Sequence, residues 1–426
     1  MYTLEDWVRH GDELRRPLLV SKGLVDSESL GIVGGGLSGL SLAYRIGLER
    51  PDLPIKLIEK TGRLGGVIET WREGEWVCDI SVNAVRPHPS FWRLVDDLGM
   101  SDSFGPSRGI ASSRWIILRG GKHRISPATI LKIGAFGFLR GVFNSRKVGS
   151  SVLDVLQNRE IADAMTLGIV NDTADQVDAN FLFPSLTGFG PKAPISRRSL
   201  RKKISKSYPI FTPRKGSLAS LEGGMEDIIR VLHETISKME NIEIILESEE
   251  GGPEEVSSAY DIPISSMIWT SSLPGRDHGE TTLSVFAVGF QEEVVSGVEI
   301  GYGTLIPDPN TPISGILHES DIHSSRRAPE GHRLFRLMVP HTRWDGNEQT
   351  VREALRVLNG FSGEPAIFRR IGERAIPRYP PGYLSSLKNY AGDLSLAGWT
   401  GSGVSVTHVV DEAERISELF TRLQKD

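Results

Sequence analysis

The run Leu30-Gly-Ile-Val-Gly-Gly-Gly-Leu-Ser-Gly-Leu40 decides the fold. A short apolar strand leads into glycines Gly34, Gly36 and Gly39, and a helical pattern follows. At this spacing the first glycine permits a tight strand-to-helix turn, the second lets backbone approach a pyrophosphate, and the third lets helix and strand pack closely. An anion held there meets a helix N-terminus, where unpaired N–H groups and the helix dipole favour negative charge. The next apolar run, Ile55 to Ile58, ends at Glu59, twenty residues beyond Gly39. A carboxylate in that place accepts hydrogen bonds from the hydroxyls of an adenosine ribose and disfavours a 2′-phosphate. Strand, helix, strand and acid together make a dinucleotide site; NAD and FAD both satisfy it.

The 426 residues allow two or three packed units. Hydrophobic content of 39% and charge content of 24% are those of a globular protein. A formal net charge of -5 argues against a general nucleic-acid binder. Cys78 is the single cysteine, which excludes an intramolecular disulfide and any multi-cysteine metal or redox centre and fits a reducing, cytoplasmic setting. Residues 1–29 carry Glu5, Asp6, Asp12 and Glu13 and lack an apolar h-region, unlike a secretory or transit peptide. They read as an amphipathic extension, with Trp7, Leu14 and Leu19 available for packing and no chemistry assigned. No stretch reaches the roughly 18 apolar residues of a membrane-spanning helix.

Beyond the nucleotide unit the pattern becomes largely helical, as in Ser90 to Leu98 and Val152 to Leu167. Two segments there stand out. Thr129 to Phe143, followed by Arg146 and Lys147, is apolar and basic, and reads either as a buried helix or as a segment lying in a membrane interface. Arg197 to Lys206 holds six cations in ten residues and reads as a solvated loop, with contact to anionic lipid as the functional alternative. Thr212 to Gly224 is a turn-rich hinge; Met225 to Met239 reads as helix, and Ile242 to Leu246 and Ile262 to Thr270 as strands. Leu283 to Phe290, Ser314 to His318 and His332 to Val339 suggest a further sheet that carries or covers a substrate site.

Two more glycine turns favour a flavin. Arg63-Leu-Gly-Gly66 follows the ribose acid, its glycine pair letting backbone lie against a flat ligand and its arginine able to approach a pyrophosphate. Leu394-Ser-Leu-Ala-Gly-Trp-Thr-Gly-Ser-Gly-Val-Ser-Val406 is a strand, a glycine turn and the start of a helix, offering a second helix N-terminus to a ring edge or phosphate.

With these pieces the chain resembles the protoporphyrinogen oxidase family of the FAD-dependent amine oxidase superfamily. The resemblance covers most of residues 30–415. It rests further on Phe211 to Leu221, Arg327-Ala-Pro-Glu-Gly331 and Arg374-Ala-Ile-Pro-Arg-Tyr379, the last two selecting this family over its relatives. It implies an α/β fold: a Rossmann-like FAD-binding domain (30–84, 212–275 and 376–426), a mostly helical subdomain that is a candidate for membrane association (85–211), and an α+β substrate-binding sheet domain (276–375). It also implies roles for residues. Gly34, Gly36 and Gly39 would hold the FAD pyrophosphate and Glu59 the adenosine ribose, with Gly35, Leu37, Ser38 and Lys60 also among the cofactor-binding residues. Arg63, Gly65, Gly66, Val67 and the stretch Ser81, Val82, Asn83, Ala84 would border the cofactor, and Trp399, Val404, Ser405 and Val406 would be its C-terminal contacts. Gly168 matches a glycine of the family's substrate pocket. The family usually has Gly-Pro at Ser81-Val82 and a small or amide residue at Trp399.

The implied reaction is FAD-dependent oxidation of a porphyrinogen, protoporphyrinogen or coproporphyrinogen, to the porphyrin of haem biosynthesis, with oxygen or another acceptor reoxidising the flavin. Hydride passes to the flavin and aromatisation drives the reaction, so no general base is named. A large apolar disc with carboxylate arms calls for apolar walls and a rim cation, for which Arg86 is the candidate. His318 and His323 are five apart, which fails the helical metal-pair spacing, and no metal is expected. His408 reads as a cap on the final helix whose ring could tune a flavin. Three alternatives stand beside this: an amine oxidase with Trp399 and Tyr379 as its aromatic pair, a carotenoid desaturase-like enzyme, and a non-catalytic flavin-fold binding protein.

Overall fold

The computed structural model describes residues 2–118, 120–126, 150–208, 218–248, 251–271, 279–358 and 360–422. The apolar runs read as strands at Leu30–Val33 and Ile55–Ile58 form the middle of a five-stranded sheet. Its order is Ser395–Leu396, Met267–Trp269, Leu30–Val33, Ile55–Ile58, Ile242–Ile245, with every pair parallel. A parallel sheet buries both faces, which is why these strands are apolar throughout rather than alternating. On one face the helices Leu37–Glu49, Glu226–Ile236 and Val406–Arg422 pack through Leu40, Leu232, Ile416 and Phe420. On the other lie Trp269, Leu387 and Leu396, with Tyr383 and Tyr390 against them. The sheet is thus assembled from distant stretches of the chain. Residues of the extension complete it: Leu19 bridges Leu396, whose N–H donates to the Leu19 carbonyl at 2.7 Å, and the Ser21 N–H donates to Ser395 Oγ at 3.0 Å. The edge strand is thereby covered, which blunts pairing with another chain.

A second, seven-stranded sheet runs Ile367–Pro377, Glu280–Gln291, His332–Pro340, Gly315–Leu317, Gly303–Leu305, Arg114–Leu118, Gly121–Arg124. Its pairs are antiparallel except Gly303–Leu305 with Arg114–Leu118. Strand periodicity divides the residues cleanly. Phe286, Val288, Phe290, Phe335 and Leu337 pack against Val351 and Leu355 of the helix Glu348–Val357. The opposite face, with Leu283 and Val285, turns towards Ile80 and Trp71.

Several elements differ from the sequence reading. Arg114–Leu118 and Gly121–Arg124 pair into this sheet although residues 85–211 read as helical, because their partner strand Gly303–Leu305 is remote in sequence. The expected helix Val152 to Leu167 is two, Val152–Leu156 and Arg159–Val170, broken where Gln157 takes φ 52° and the Asn158 side chain caps the Ile161 N–H. The basic run is not a loop but the helix Arg197–Ser207, capped by Ser196. It buries Leu200 against Trp7 and Leu14 and leaves its cations outward, so an amphipathic surface gives it a reason to coil. The strand expected over Ile262 to Thr270 is only Met267–Trp269, because a 3₁₀ turn occupies Ile264–Ser266. Thr129 to Phe143 and residues 212–217 of the hinge lie outside the described residues. Among those described, no helix is long and apolar enough to cross a membrane.

Candidate functional site: a cleft between two sheets

The opening glycine turn has the geometry its spacing predicts. Gly34 has φ 109°, a region that side-chain-bearing residues rarely adopt, and a Cβ on Gly39 would lie 1.9 Å from the Gly34 carbonyl oxygen. Helix and turn therefore touch backbone to backbone. A Cβ on Gly36 would meet nothing nearer than the Gly66 Cα at 3.8 Å, so this position keeps the cleft open. The helix Leu37–Glu49 begins with no side-chain cap. Among the described residues the buried Ser38 hydroxyl has no hydrogen-bond partner. Glu59, 8% exposed, accepts from the Gly35 N–H at 2.7 Å through Oε2 and from the Thr61 N–H and hydroxyl at 2.9 and 2.8 Å through Oε1. A carboxylate has about four acceptor positions, so capacity remains for a diol. These features fit a dinucleotide pyrophosphate and ribose.

The second glycine turn is tied to the first: the Gly65 N–H donates to the Gly35 carbonyl at 2.8 Å, and Gly36 and Gly65 form a bridge. Arg63 clamps its own turn, its guanidinium donating to the carbonyls of Leu64, Gly66 and Ile68 at 3.1, 2.5 and 3.2 Å. Its first task is thus shaping the turn.

Together these turns line one end of a cleft of about 890 Å³. Gly34, Gly36, Leu37, Ser38, Glu59, Lys60, Arg63, Gly65, Gly66 and Val67 line it, as do Ser81, Val82, Trp399, Val404, Ser405 and Val406. Gly35, Gly39, Asn83 and Ala84 are not part of that lining. Opposite stands the second sheet, contributing Leu283, Val285, Arg336, Met338, Arg374 and Ile376. Register explains the set: Val285 pairs with Met338 and Leu283 with Arg374, all on the face away from the Phe286 core.

The substrate candidates fare differently. Arg86 is exposed and outside the lining; Val85 before it is bridged to Ala219, which turns the next side chain outward. Gly168 lies in the helix Arg159–Val170 against Leu305, and its neighbour Ile169 reaches the cleft instead. The sequence reading missed the sheet arginines Arg336 and Arg374. The signal was there: each occupies an inward position in an alternating strand, where an ordinary residue would be apolar.

Arg336 is 3% exposed and belongs to a buried ionic cluster. Its Nε lies 3.0 Å from Glu319 Oε1, and Nη1 donates to the carbonyls of Asp79 and Ser81, pinning the strand end that borders the cleft. His323 Nε2 is 2.8 Å from Glu319 Oε2, and Arg327 Nη1 is 3.6 Å from Asp79. Burial alone would push the Glu319 carboxyl up, but Arg336 and the His323 hydrogen bond hold it at about 2.

Beneath the C-terminal turn lies a second cluster. Tyr379, with φ 55°, is buried, stacks on Phe181 at 4.0 Å and donates its hydroxyl to the Trp399 carbonyl at 2.6 Å. It is absent from the cleft lining, so Trp399 and Tyr379 do not face the cleft as an aromatic pair. His408 does not serve as a cap through its ring: Nε2 faces Glu13 at 2.8 Å and Nδ1 the Ser402 carbonyl at 3.3 Å. Glu13 also receives His88 Nε2 at 2.6 Å, and His10 Nδ1 meets Asp411 at 2.9 Å. Burial opposes a charge on His10, yet the Asp411 and Glu418 bonds raise it to about 9. The extension, given no chemistry from sequence, is therefore an ionic brace under the turn.

Glu412 accepts the Gly398 N–H at 2.6 Å, and its burial outweighs that bond and raises the carboxyl to about 7. A carboxyl whose folded pKa lies above its unfolded 4.5 makes stability fall as pH rises from 4.5 to 7, after which the penalty is constant. Glu412→Gln is accordingly expected to gain about 3 kcal/mol relative to the native chain across that window. Urea denaturation at several pH values checks it; a difference independent of pH refutes it.

Residues 32–98 match the NAD(P)-binding Rossmann-like domain family. Coproporphyrinogen III oxidase of Staphylococcus aureus is 21% identical over 85% of this chain and 91% of its own length. Protoporphyrinogen oxidase 2 of Arabidopsis thaliana is 23% identical over 85% of this chain and 87% of its own. The chain is thus similar over most of its length to protoporphyrinogen and coproporphyrinogen oxidases. A solved structure assigned as a protoporphyrinogen oxidase, from Exiguobacterium sp. 255-15, superposes with TM-score 0.64 at 18% identity, covering 93% of this chain and 99% of that one, and shares its fold. Ser81-Val82 and Trp399, the positions that depart from the resembled family's usual pattern, fall in the cleft lining itself.

Proposed function

We propose that this chain binds FAD in the cleft and oxidises a porphyrinogen to the porphyrin. The observation that carries the reading is one cleft joining two glycine turns and a ribose acid to an apolar sheet face bearing arginine. FAD, when bound, supplies a two-electron acceptor for the substrate's hydrogens. The backbone at Gly34, Gly36, Gly65 and Gly66 would hold its phosphates, Glu59 its ribose, and Val67, Ser81, Val82, Trp399 and Val404 to Val406 its ring system. Leu283, Val285, Met338, Ile376 and Ile169 would exclude water and seat the disc. No side chain is assigned a proton. Aromatisation drives the reaction, so binding and orientation are the protein's part. The exposed cations of Arg197–Ser207 are the described surface on which a peripheral contact with anionic lipid would rest.

Anaerobic mixing with protoporphyrinogen and with coproporphyrinogen tests the reading. Flavin absorbance is expected to bleach with at least one of them, and porphyrin fluorescence to appear in step. A yellow protein whose flavin stays oxidised with both overturns it.

A further inference from the structure

We infer that Arg374 is the residue that receives a carboxylate arm of the substrate, a step that rests on the porphyrinogen reading and makes it specific. Among the described lining residues the sheet face of the cleft carries two guanidinium groups, Arg336 and Arg374. They are not equivalent. Arg336 is neutralised by Glu319 at 3.0 Å and held by the carbonyls of Asp79 and Ser81, so moving it breaks a buried cluster. Arg374 is 17% exposed at its side chain and bound more loosely. Its Nη2 donates to Glu69 at 2.8 Å and Nη1 to the Glu373 carbonyl at 2.8 Å, while its buried Nε has no partner among the described residues.

Glu69 is itself 40% exposed and lies within 3.8 Å of Arg63, so it is a rim acid shared between two cations. An ion pair with an exposed member is worth only about 0–1 kcal/mol, and an incoming carboxylate can replace it at small cost. Guanidinium suits this exchange because its planar donors take a carboxylate in two parallel bonds. Position supports it. Arg374 pairs in register with Leu283, and Val285, Met338 and Ile376 share the same face, so the cation stands at the margin of an apolar floor. A disc lying on that floor presents a carboxylate arm at its margin. Arg86, by contrast, is exposed outside the lining.

The test compares a porphyrinogen with free carboxylates and the same compound as its methyl ester. In the native chain, esterification is expected to raise KM about tenfold, the effect of losing one charged hydrogen-bonded contact. Arg374→Gln should raise KM for the free acid by about the same factor, leave the ester unchanged, and spare kcat and flavin content. Glu69→Gln, which removes the competing acid without touching the floor, should lower KM for the free acid and keep the native acid-to-ester difference in direction. An acid-to-ester ratio in Arg374→Gln equal to the native one overturns the assignment while the oxidase reading stands. A native chain that turns over neither form overturns both.

Discussion

Adding one methyl group at Gly36 is expected to remove FAD without unfolding the protein, whereas the same methyl at Gly39 should do both. Gly36 has φ -71°, comfortable for any residue, and its Cβ would point into space bounded only by the Gly66 Cα at 3.8 Å. Gly36→Ala should therefore stay within about 1 kcal/mol of native stability, the cost of a poorer helix start, while the methyl occupies the approach to the pyrophosphate. At Gly39 the Cβ falls 1.9 Å from the Gly34 carbonyl oxygen, so the helix must leave the strand turn. Overpacking against fixed backbone should cost about 3 kcal/mol or more. Visible absorbance gives flavin per chain, and urea denaturation of the apo forms gives stability. Full flavin content in Gly36→Ala would refute the placement of the cofactor.

The other large effect concerns Arg336. Arg336→Met leaves Glu319 buried with His323 as its remaining close partner, and breaking a buried ion pair on one side costs about 3–5 kcal/mol. Replacing both partners, Arg336→Met with Glu319→Leu, should recover most of the loss, because the uncompensated charge disappears with its partner. The acid dependence follows. Glu319 has a folded value of about 2 against an ordinary 4.5, so its contribution is complete above pH 4.5 and falls away as pH drops towards 2. Arg336→Met should lose that acid-sensitive share. Additive losses in the double variant would show that the two residues do not act as a pair.

What could be read from the chain alone was what depends on neighbours in sequence. The glycine turn and Glu59 are fixed by a local strand-helix-strand pattern, and the structure brings them together through the Gly35 N–H to Glu59 bond. Arg374 and Arg336 carried a signal, a cation at an inward position of an alternating strand, but the signal does not say which face lines a cleft. That face is set by pairing with Glu280–Gln291, continuous for the strand of Arg336 and shifted in register between Val285 and Phe286 for the strand of Arg374. Long-range pairing of this kind is not written in either strand's local pattern. Arg86 looked suitable because it follows the Ser81–Ala84 stretch, but the Val85–Ala219 bridge turns it away. The brace was equally hidden, since His10 and Asp411 meet across a separation of 401 positions.

That brace has a consequence for biosynthesis. The Arg415 guanidinium grips the Glu13 carbonyl at 3.0 Å across a separation of 402 positions. At roughly 5–20 residues per second, the ribosome needs on the order of half a minute to deliver that partner. Through this interval the Leu37–Glu49 helix has emerged without the helix Val406–Arg422 that covers it. Nascent chains therefore pass through a prolonged stage with half a nucleotide sheet uncovered, which is where holdases and proteases gain access and where slow codons late in the message would lengthen the exposure.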